Sequence, residues 1–283
     1  MTIILSNIQS LIEHYDLLLV DAWGVLHDGR AVFPGAERFL HWAKKRRKPV
    51  AIISNAARRN EIMAKEIANA GVDGHLYTLV HSSGEMTWQF LLRNADTYQT
   101  GFYYGPPRSR SLCHGLPARW AEEIHAADFV LNTGTPMADL NDISLIDDAI
   151  RTMVKLQLPM VCANPDQVAV RNGVLGFSAG AIAQRYLQLG GHKLVQFGKP
   201  DATIFQQAMQ MASITEHKRV LMIGDGMATD IAGASNLGID SLLICSGIHR
   251  QDLMPLDQGK LDTLCEKYRL SPTYACATLD CSE

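Results

Sequence analysis

The chain is punctuated by short apolar runs that each stop at a polar or glycine-containing corner. Leu17-Leu18-Leu19-Val20 stops at Asp21, Lys48-Pro49-Val50-Ala51-Ile52-Ile53 at Ser54-Asn55, Arg219-Val220-Leu221-Met222-Ile223 at Gly224-Asp225-Gly226, and Ser241-Leu242-Leu243-Ile244-Cys245 at Ser246-Gly247. Runs this short and this continuous predict strands buried on both faces. Between them the spacing turns helical: Arg59 to Ala70 reads as a helix stopped by Gly71, Ala202 to Met211 as a second, and Asp230 to Leu237 as a third stopped by Gly238. The alternation predicts an α/β fold with a doubly wound, Rossmann-like parallel sheet covered by helices on both faces.

The middle of the chain repeats the pattern on a smaller scale. Phe102-Tyr103-Tyr104, Asp128-Phe129-Val130-Leu131 and Pro159-Met160-Val161-Cys162-Ala163 predict strands, and Ser144 to Leu156 predicts a helix between the last two. The expected organisation is a core from residues 1–79 and 186–283, with a smaller α/β unit inserted at 80–185. A chain of 283 residues buries enough apolar surface for both.

In a doubly wound sheet, ligands sit outside the carboxyl ends of the strands, at the point where strand order reverses. Asp21, Ser54 and Asp225 all fall on such ends. That placement directs three polar groups, far apart in sequence, toward one crevice.

At 47% hydrophobic and 19% charged, the composition is that of an ordinary globular protein. The net charge of -3 gives no broad electrostatic footprint for nucleic acid or for an anionic membrane, so neither is expected as a partner. Five consecutive cations, Lys44 to Lys48, follow a predicted helix whose C-terminal dipole favours positive charge, and read as a solvated helix end. There is no leader-like N-terminus and no long uncharged apolar run; the expected compartment is the cytoplasm. Six cysteines are scattered without zinc spacing. Reduced thiols are expected, with Cys276 and Cys281 in a loosely ordered tail.

The strand-end groups then suggest chemistry. A carboxylate at the tip of a buried strand, as at Asp21, serves as a metal ligand, a general base or a nucleophile. Asp225, between two glycines, adds a second hard oxygen donor with room for an ion and its waters, a set suited to Mg²⁺. Lys199, in Gly198-Lys199-Pro200 at the entrance to a helix, is placed to neutralise a phosphate or to brace a carboxylate. Ser54 and Asn55 offer hydroxyl, amide and backbone N–H donors to an anion.

Together these segments resemble the four motifs of the haloacid dehalogenase-like superfamily, in chain order and over nearly the whole chain. Motif one matches Asp21-Ala22-Trp23-Gly24-Val25-Leu26, motif two Ile52-Ile53-Ser54-Asn55, motif three Gly198-Lys199-Pro200, and motif four Ile223 to Asp230. The insert between motifs two and three, with Ala163-Asn164-Pro165-Asp166, resembles the cap of the class IIA phosphatases. That branch contains nucleotide, p-nitrophenyl phosphate, phosphoglycolate and pyridoxal phosphate phosphatases. Asp28-Gly29, Val32 to Ala36 and His81-Ser82-Ser83-Gly84 resemble the same branch.

The resemblance implies a small phosphorylated substrate and an aspartyl-phosphate intermediate on Asp21. It implies Mg²⁺ held by Asp21, the backbone carbonyl of Trp23 and Asp225. Ser54, Asn55 and Lys199 would hold the phosphate, with Asp230 orienting Lys199 or a metal-bound water. It leaves homo-oligomerisation open. Position 23 departs from the pattern, because phosphatases of this superfamily carry there a second aspartate that protonates the leaving oxygen and then activates water. The Trp23 indole is a donor that does not titrate. Three readings follow: a substrate whose leaving group needs little protonation, related chemistry without the second aspartate, or a regulatory protein that binds a phosphorylated ligand without turnover. Retention of Asp225 favours a metal and disfavours dehalogenation.

Overall fold

The computed structural model describes residues 2–137, 142–171, 174–214 and 216–281. They form two compact units, one of Met1–Ser54, Glu61–His81 and Lys199–Glu283, the other of Asn55–Asn60 and Ser82–Gly198.

The first unit is built on a seven-stranded sheet in the order Ile3–Leu5, Tyr274–Cys276, Asp240–Ile244, Val220–Gly224, Leu17–Asp21, Val50–Ser54, Leu79–Ser82. The strands from Ile3–Leu5 through Val50–Ser54 run parallel. Leu17–Asp21, Val50–Ser54 and Val220–Gly224 are buried at every position, which is why each is written as an unbroken apolar run rather than an alternation.

Strand order fixes where a site can form. From Leu17–Asp21 the chain advances through Val50–Ser54 to Leu79–Ser82 on one side, and from Val220–Gly224 it advances to Asp240–Ile244 and Tyr274–Cys276 on the other. The reversal therefore lies between Leu17–Asp21 and Val220–Gly224, and the crevice opens at their carboxyl ends. Register does the rest. Val20 pairs with Ile223 and Asp21 with Ile53, so Asp21 lies level with the strand ends that carry Gly224-Asp225 and Ser54.

Helices form close to where the spacing placed them. Ala202–Met211 matches the predicted bounds, and Asp201 caps it by accepting from the Thr203 N–H at 2.8 Å. The helix expected from Asp230 instead starts at Ala232, because Met227–Ile231 forms a wide π-type turn in which the Ile231 N–H reaches back to the Gly226 carbonyl. Gly238, at φ 71°, terminates it as expected.

The tail expectation is corrected. Tyr274–Cys276 is an inner strand paired on both sides, with Ile3–Leu5 and with Asp240–Ile244, and Cys276 and Cys281 are both buried. A three-residue strand carries too little periodicity to announce itself; its backbone pairing comes from distant neighbours.

The second unit has its own five-stranded parallel sheet, in the order Leu194–Gln196, Met160–Cys162, Phe129–Asn132, Thr100–Tyr104, Arg119–Ala121. An antiparallel hairpin, Val168–Arg171 with Val174–Phe177, accompanies it. Alternate residues face opposite layers. Val130 packs with Ile150, Met153, Ile182 and Tyr186, while Phe129 and Leu131 pack with Leu91, Leu112 and Val161. Among the described residues, no helix is long and apolar enough to cross a membrane.

Candidate active site

Four charged side chains meet at the switch point of the first sheet. Lys199 Nζ lies 2.6 Å from Asp21 Oδ1 and 2.7 Å from Asp230 Oδ1, and also donates to the Ile53 carbonyl at 3.4 Å. Carboxylate oxygens of Asp21, Asp225 and Asp230 all lie within 4.8 Å of one another. All four residues are buried. Burial alone would lower the Lys199 pKa, but the flanking Asp21 and Asp230 carboxylates outweigh it and hold the ammonium above the ordinary lysine range. Asp225 goes the other way. Desolvation, and then the negative charges of Asp21 and Asp230, push its carboxyl well above the usual carboxylate range.

The backbone leaves Asp225 little alternative to its position. A Cβ on Gly24 would stand 2.2 Å from Asp225 Oδ2, and one on Gly247 would stand 2.1 Å from the same atom. Gly24 is also at φ 83°, a conformation that L side chains rarely adopt. The Ile248 N–H then donates to Asp225 Oδ2 at 2.8 Å. Asp230 is held similarly, its Oδ2 accepting the Gly226 N–H at 2.9 Å while Oδ1 faces Lys199.

The remaining expected residues are placed as follows. Ser54 is buried at the end of its strand, one residue beyond the pairing of Asp21 with Ile53. Asn55 opens the second unit, and its amide Nδ2 donates to Asp166 Oδ1 at 2.7 Å. The Asp166 N–H in turn donates to Asn164 Oδ1 at 2.8 Å. Trp23 is held by the main chain on either side, Gly24 N–H donating to the His27 carbonyl and His27 N–H to the Ala22 carbonyl. Its side chain is 38% exposed, with the indole nitrogen close over Gly29, where a Cβ would lie 3.0 Å away. His27 is buried, and its Nδ1 accepts the Gly29 N–H at 2.9 Å.

Sequence reasoning missed the Ile248 N–H and the close approach of Gly24 and Gly247 to Asp225. The signal was a glycine immediately after a strand end, in Ser246-Gly247, and one immediately after Trp23. It also missed the bond between Asn55 and Asp166, which no local pattern encodes.

A family model described as haloacid dehalogenase-like hydrolase matches residues 18–117, and a second, HAD-hydrolase-like model matches residues 196–271. The chain belongs to the haloacid dehalogenase-like hydrolases. These matches contain Asp21 and Ser54 in the first case, and Lys199, Asp225 and Asp230 in the second. The chain is 24% identical over 242 residues to the acid sugar phosphatase of Staphylococcus epidermidis, covering 83% of this chain and 88% of that one. To the ribonucleotide monophosphatase NagD of Escherichia coli it is 25% identical over 250 residues, covering 83% and 89%. A haloacid dehalogenase-like hydrolase from Brucella suis 1330 has a similar structure, with a TM-score of 0.84 at 28% identity over 96% of this chain and 98% of that one.

Proposed function

We propose that this hydrolase is a Mg²⁺-dependent phosphatase of a small phosphorylated metabolite, with Asp21 as the nucleophile. The observation that carries the reading is the ion-paired row in which Lys199 joins Asp21 and Asp230, with Asp225 in the same cluster. The similarity to an acid sugar phosphatase and to a ribonucleotide monophosphatase supports phosphate monoesters as the substrate class.

The donor set fits a divalent cation. Three carboxylates against one ammonium leave two formal negative charges in a buried cluster, and burial, followed by that excess, raises the pKa of Asp225. Two carboxylates and a main-chain oxygen are hard donors suited to Mg²⁺. Asp21, Asp225 and the Trp23 carbonyl would hold it; the two hydrogen bonds of the bridge through Trp23 use the groups on either side and leave that carbonyl out. When bound, the ion supplies charge neutralisation to phosphoryl oxygens.

The chain's own residues divide the remaining work. Lys199 holds one Asp21 oxygen, leaving the carboxylate oriented at the mouth of the crevice, and supplies positive charge toward an incoming phosphate. Asp230 keeps Lys199 charged and fixed. The Ser54 hydroxyl donates to the transferring group. Asp21 attacks phosphorus in line, and water subsequently hydrolyses the acyl phosphate.

A second reading, binding of a phosphorylated ligand without turnover, is favoured by the non-titrating indole at position 23. The deciding experiment is p-nitrophenyl phosphate turnover with Mg²⁺ in the parent and in Asp21→Asn. The catalytic reading expects activity that falls by at least about 10³-fold in the variant. Equal rates in the two proteins would overturn it.

A further inference from the structure

We infer that the segment 277–281, which lies outside the four motifs, straps together the loops that hold the divalent cation, and that Asp280, gripped by Arg38, is the residue that positions them. The inference rests on the Mg²⁺ reading given above and concerns how its donors are held in place.

In that reading the donors stand at the ends of two strands. Asp21 and the Trp23 carbonyl belong to Leu17–Asp21 and the loop after it, and Asp225 follows Val220–Gly224. The seat of the Asp225 carboxylate, however, is on a third loop. Its Oδ2 accepts the Ile248 N–H at 2.8 Å and faces Gly247, where a Cβ would stand 2.1 Å away. That third loop is fastened by the segment 277–281. Cys245 N–H donates to the Cys276 carbonyl and Ser246 N–H to the Ala277 carbonyl, each at 3.0 Å, which carries the pairing of the two strands up to the residue before Gly247.

From Ala277 the segment runs onto the helix Pro34–Lys45. Leu279 is buried, and its carbonyl oxygen stands 2.4 Å from where a Cβ on Gly35 would be, so the helix admits it only through a glycine. One turn further on, Arg38 grips Asp280 with both prongs, Nε to Oδ1 at 2.9 Å and Nη2 to Oδ2 at 2.6 Å. Gln9 Nε2 donates to the Cys281 carbonyl at 2.8 Å and fixes the far end. The same helix is anchored at its start to the loop of Asp21 and Trp23. Phe33 N–H donates to the Leu26 carbonyl and Leu26 N–H to the Ala22 carbonyl, both at 2.9 Å. The chain of contacts therefore closes, from Asp225 through Ile248, Ala277, Asp280, Arg38 and Leu26 to Ala22, which stands between Asp21 and Trp23.

Geometry, more than stability, is what this ion pair supplies. The Arg38 and Asp280 side chains are 51% and 26% exposed, and a pair so open to water adds little to folding. A forked arginine nonetheless fixes direction as well as distance. With the fork broken, the segment drifts from the helix, the Ile248 N–H drifts with Ser246, and the seat of Asp225 is formed in only a fraction of molecules. Mg²⁺ then binds more weakly in proportion to that fraction, and high Mg²⁺ restores the seat.

The test is calorimetric titration of the full chain with Mg²⁺ in the parent, Arg38→Ala, Asp280→Ala and the double variant, with melting temperatures taken in chelator. Each single variant should raise the Kd about 3- to 10-fold, below the roughly 10- to 100-fold expected for a partner that orients a ligand directly. The double variant should be no worse than either single one, because the two residues act through one contact. Melting temperatures should fall by no more than about 4 °C. The deficit in p-nitrophenyl phosphate turnover should vanish as Mg²⁺ is raised to saturation. Arg185→Ala, which breaks a comparable fork to Asp147 in the second unit, should leave Mg²⁺ affinity unchanged. If an alanine variant does not fold, Arg38→Lys decides, since it keeps the charge and loses the fork: a raised Kd supports the inference and the parent Kd overturns it. Parent affinity in both alanine variants, additive losses in the double variant, or an equal loss in Arg185→Ala overturns the inference and leaves the metal reading intact. A parent chain that binds no Mg²⁺ overturns the metal reading as well.

Discussion

Lys199 Nζ and Asp21 Oδ1 are 2.6 Å apart although 178 residues separate them in sequence, and the lysine is almost wholly buried. Charges taken this far from water are tolerated because each has a partner, so removing one partner is costly. Lys199→Ala leaves three buried carboxylates facing one another and should lose about 3 to 5 kcal/mol of stability. Chemical denaturation at neutral pH checks this. Because the folded-state lysine titrates above its ordinary range, its contribution is fully present below that range and is lost only as pH rises through the folded value. The difference between parent and variant should therefore persist through neutrality and shrink only in strong alkali.

The glycines around Asp225 give a second expectation. Gly247→Ala puts a methyl group 2.1 Å from Asp225 Oδ2, so the carboxylate must swing away from its bond to the Ile248 N–H. Gly24→Ala adds backbone strain of about 1 to 3 kcal/mol at positive φ. Calorimetric titration with Mg²⁺ should show affinity reduced at least about 10-fold in both variants, the order expected when groups that orient a ligand are disturbed. Unchanged affinity would detach Asp225 from metal binding.

Metal and pH should be linked in a definite direction. The raised Asp225 pKa means that, without metal, the folded state favours the protonated carboxyl, and this contribution is lost as pH rises through the folded value. Thermal stability in a chelator should fall as pH rises above the ordinary carboxylate range, and Mg²⁺ should raise the melting temperature more at the upper end of that fall. Asp225→Asn should abolish that pH-dependent gain. An equal Mg²⁺ effect at both ends would contradict the assignment.

The thiols make a fourth case. Burial pushes Cys113, Cys162, Cys245 and Cys281 up to about 12, and raises Cys276 as well, so none of them supplies thiolate near neutrality. Cys265 is only half-buried. An Ellman titration of the native protein should find at most this one fast thiol, and six after denaturation. Rapid reaction at Cys276 or Cys281 would mean that the last strand frays.

Much of this was legible in the sequence wherever a local signal and the tertiary environment agree. Leu17 to Val20 reads as a strand because both faces of the observed strand are buried, and Asp21 reads as a strand end because it is one. The grouping of Asp21, Lys199, Asp225 and Asp230 followed from motif order and from the rule for carboxyl ends. Tyr274–Cys276 was not legible, since its place is set by two distant strands. Nor was the pairing of Asn55 with Asp166, 111 residues away. The indole of Trp23 was legible as a departure from pattern, but its seat over Gly29 depends on the turn between them.

The wide turn at Met227–Ile231 gives chain length itself a meaning here. It spends one residue more than an α-helical turn would, and Asp230 sits inside it with one oxygen on the Gly226 N–H and the other on Lys199. Each residue in a helix turns the side-chain direction by roughly 100°. Trimming the turn by one residue would regularise the helix and rotate the carboxylate off the lysine, so a locally better helix would be a worse catalyst.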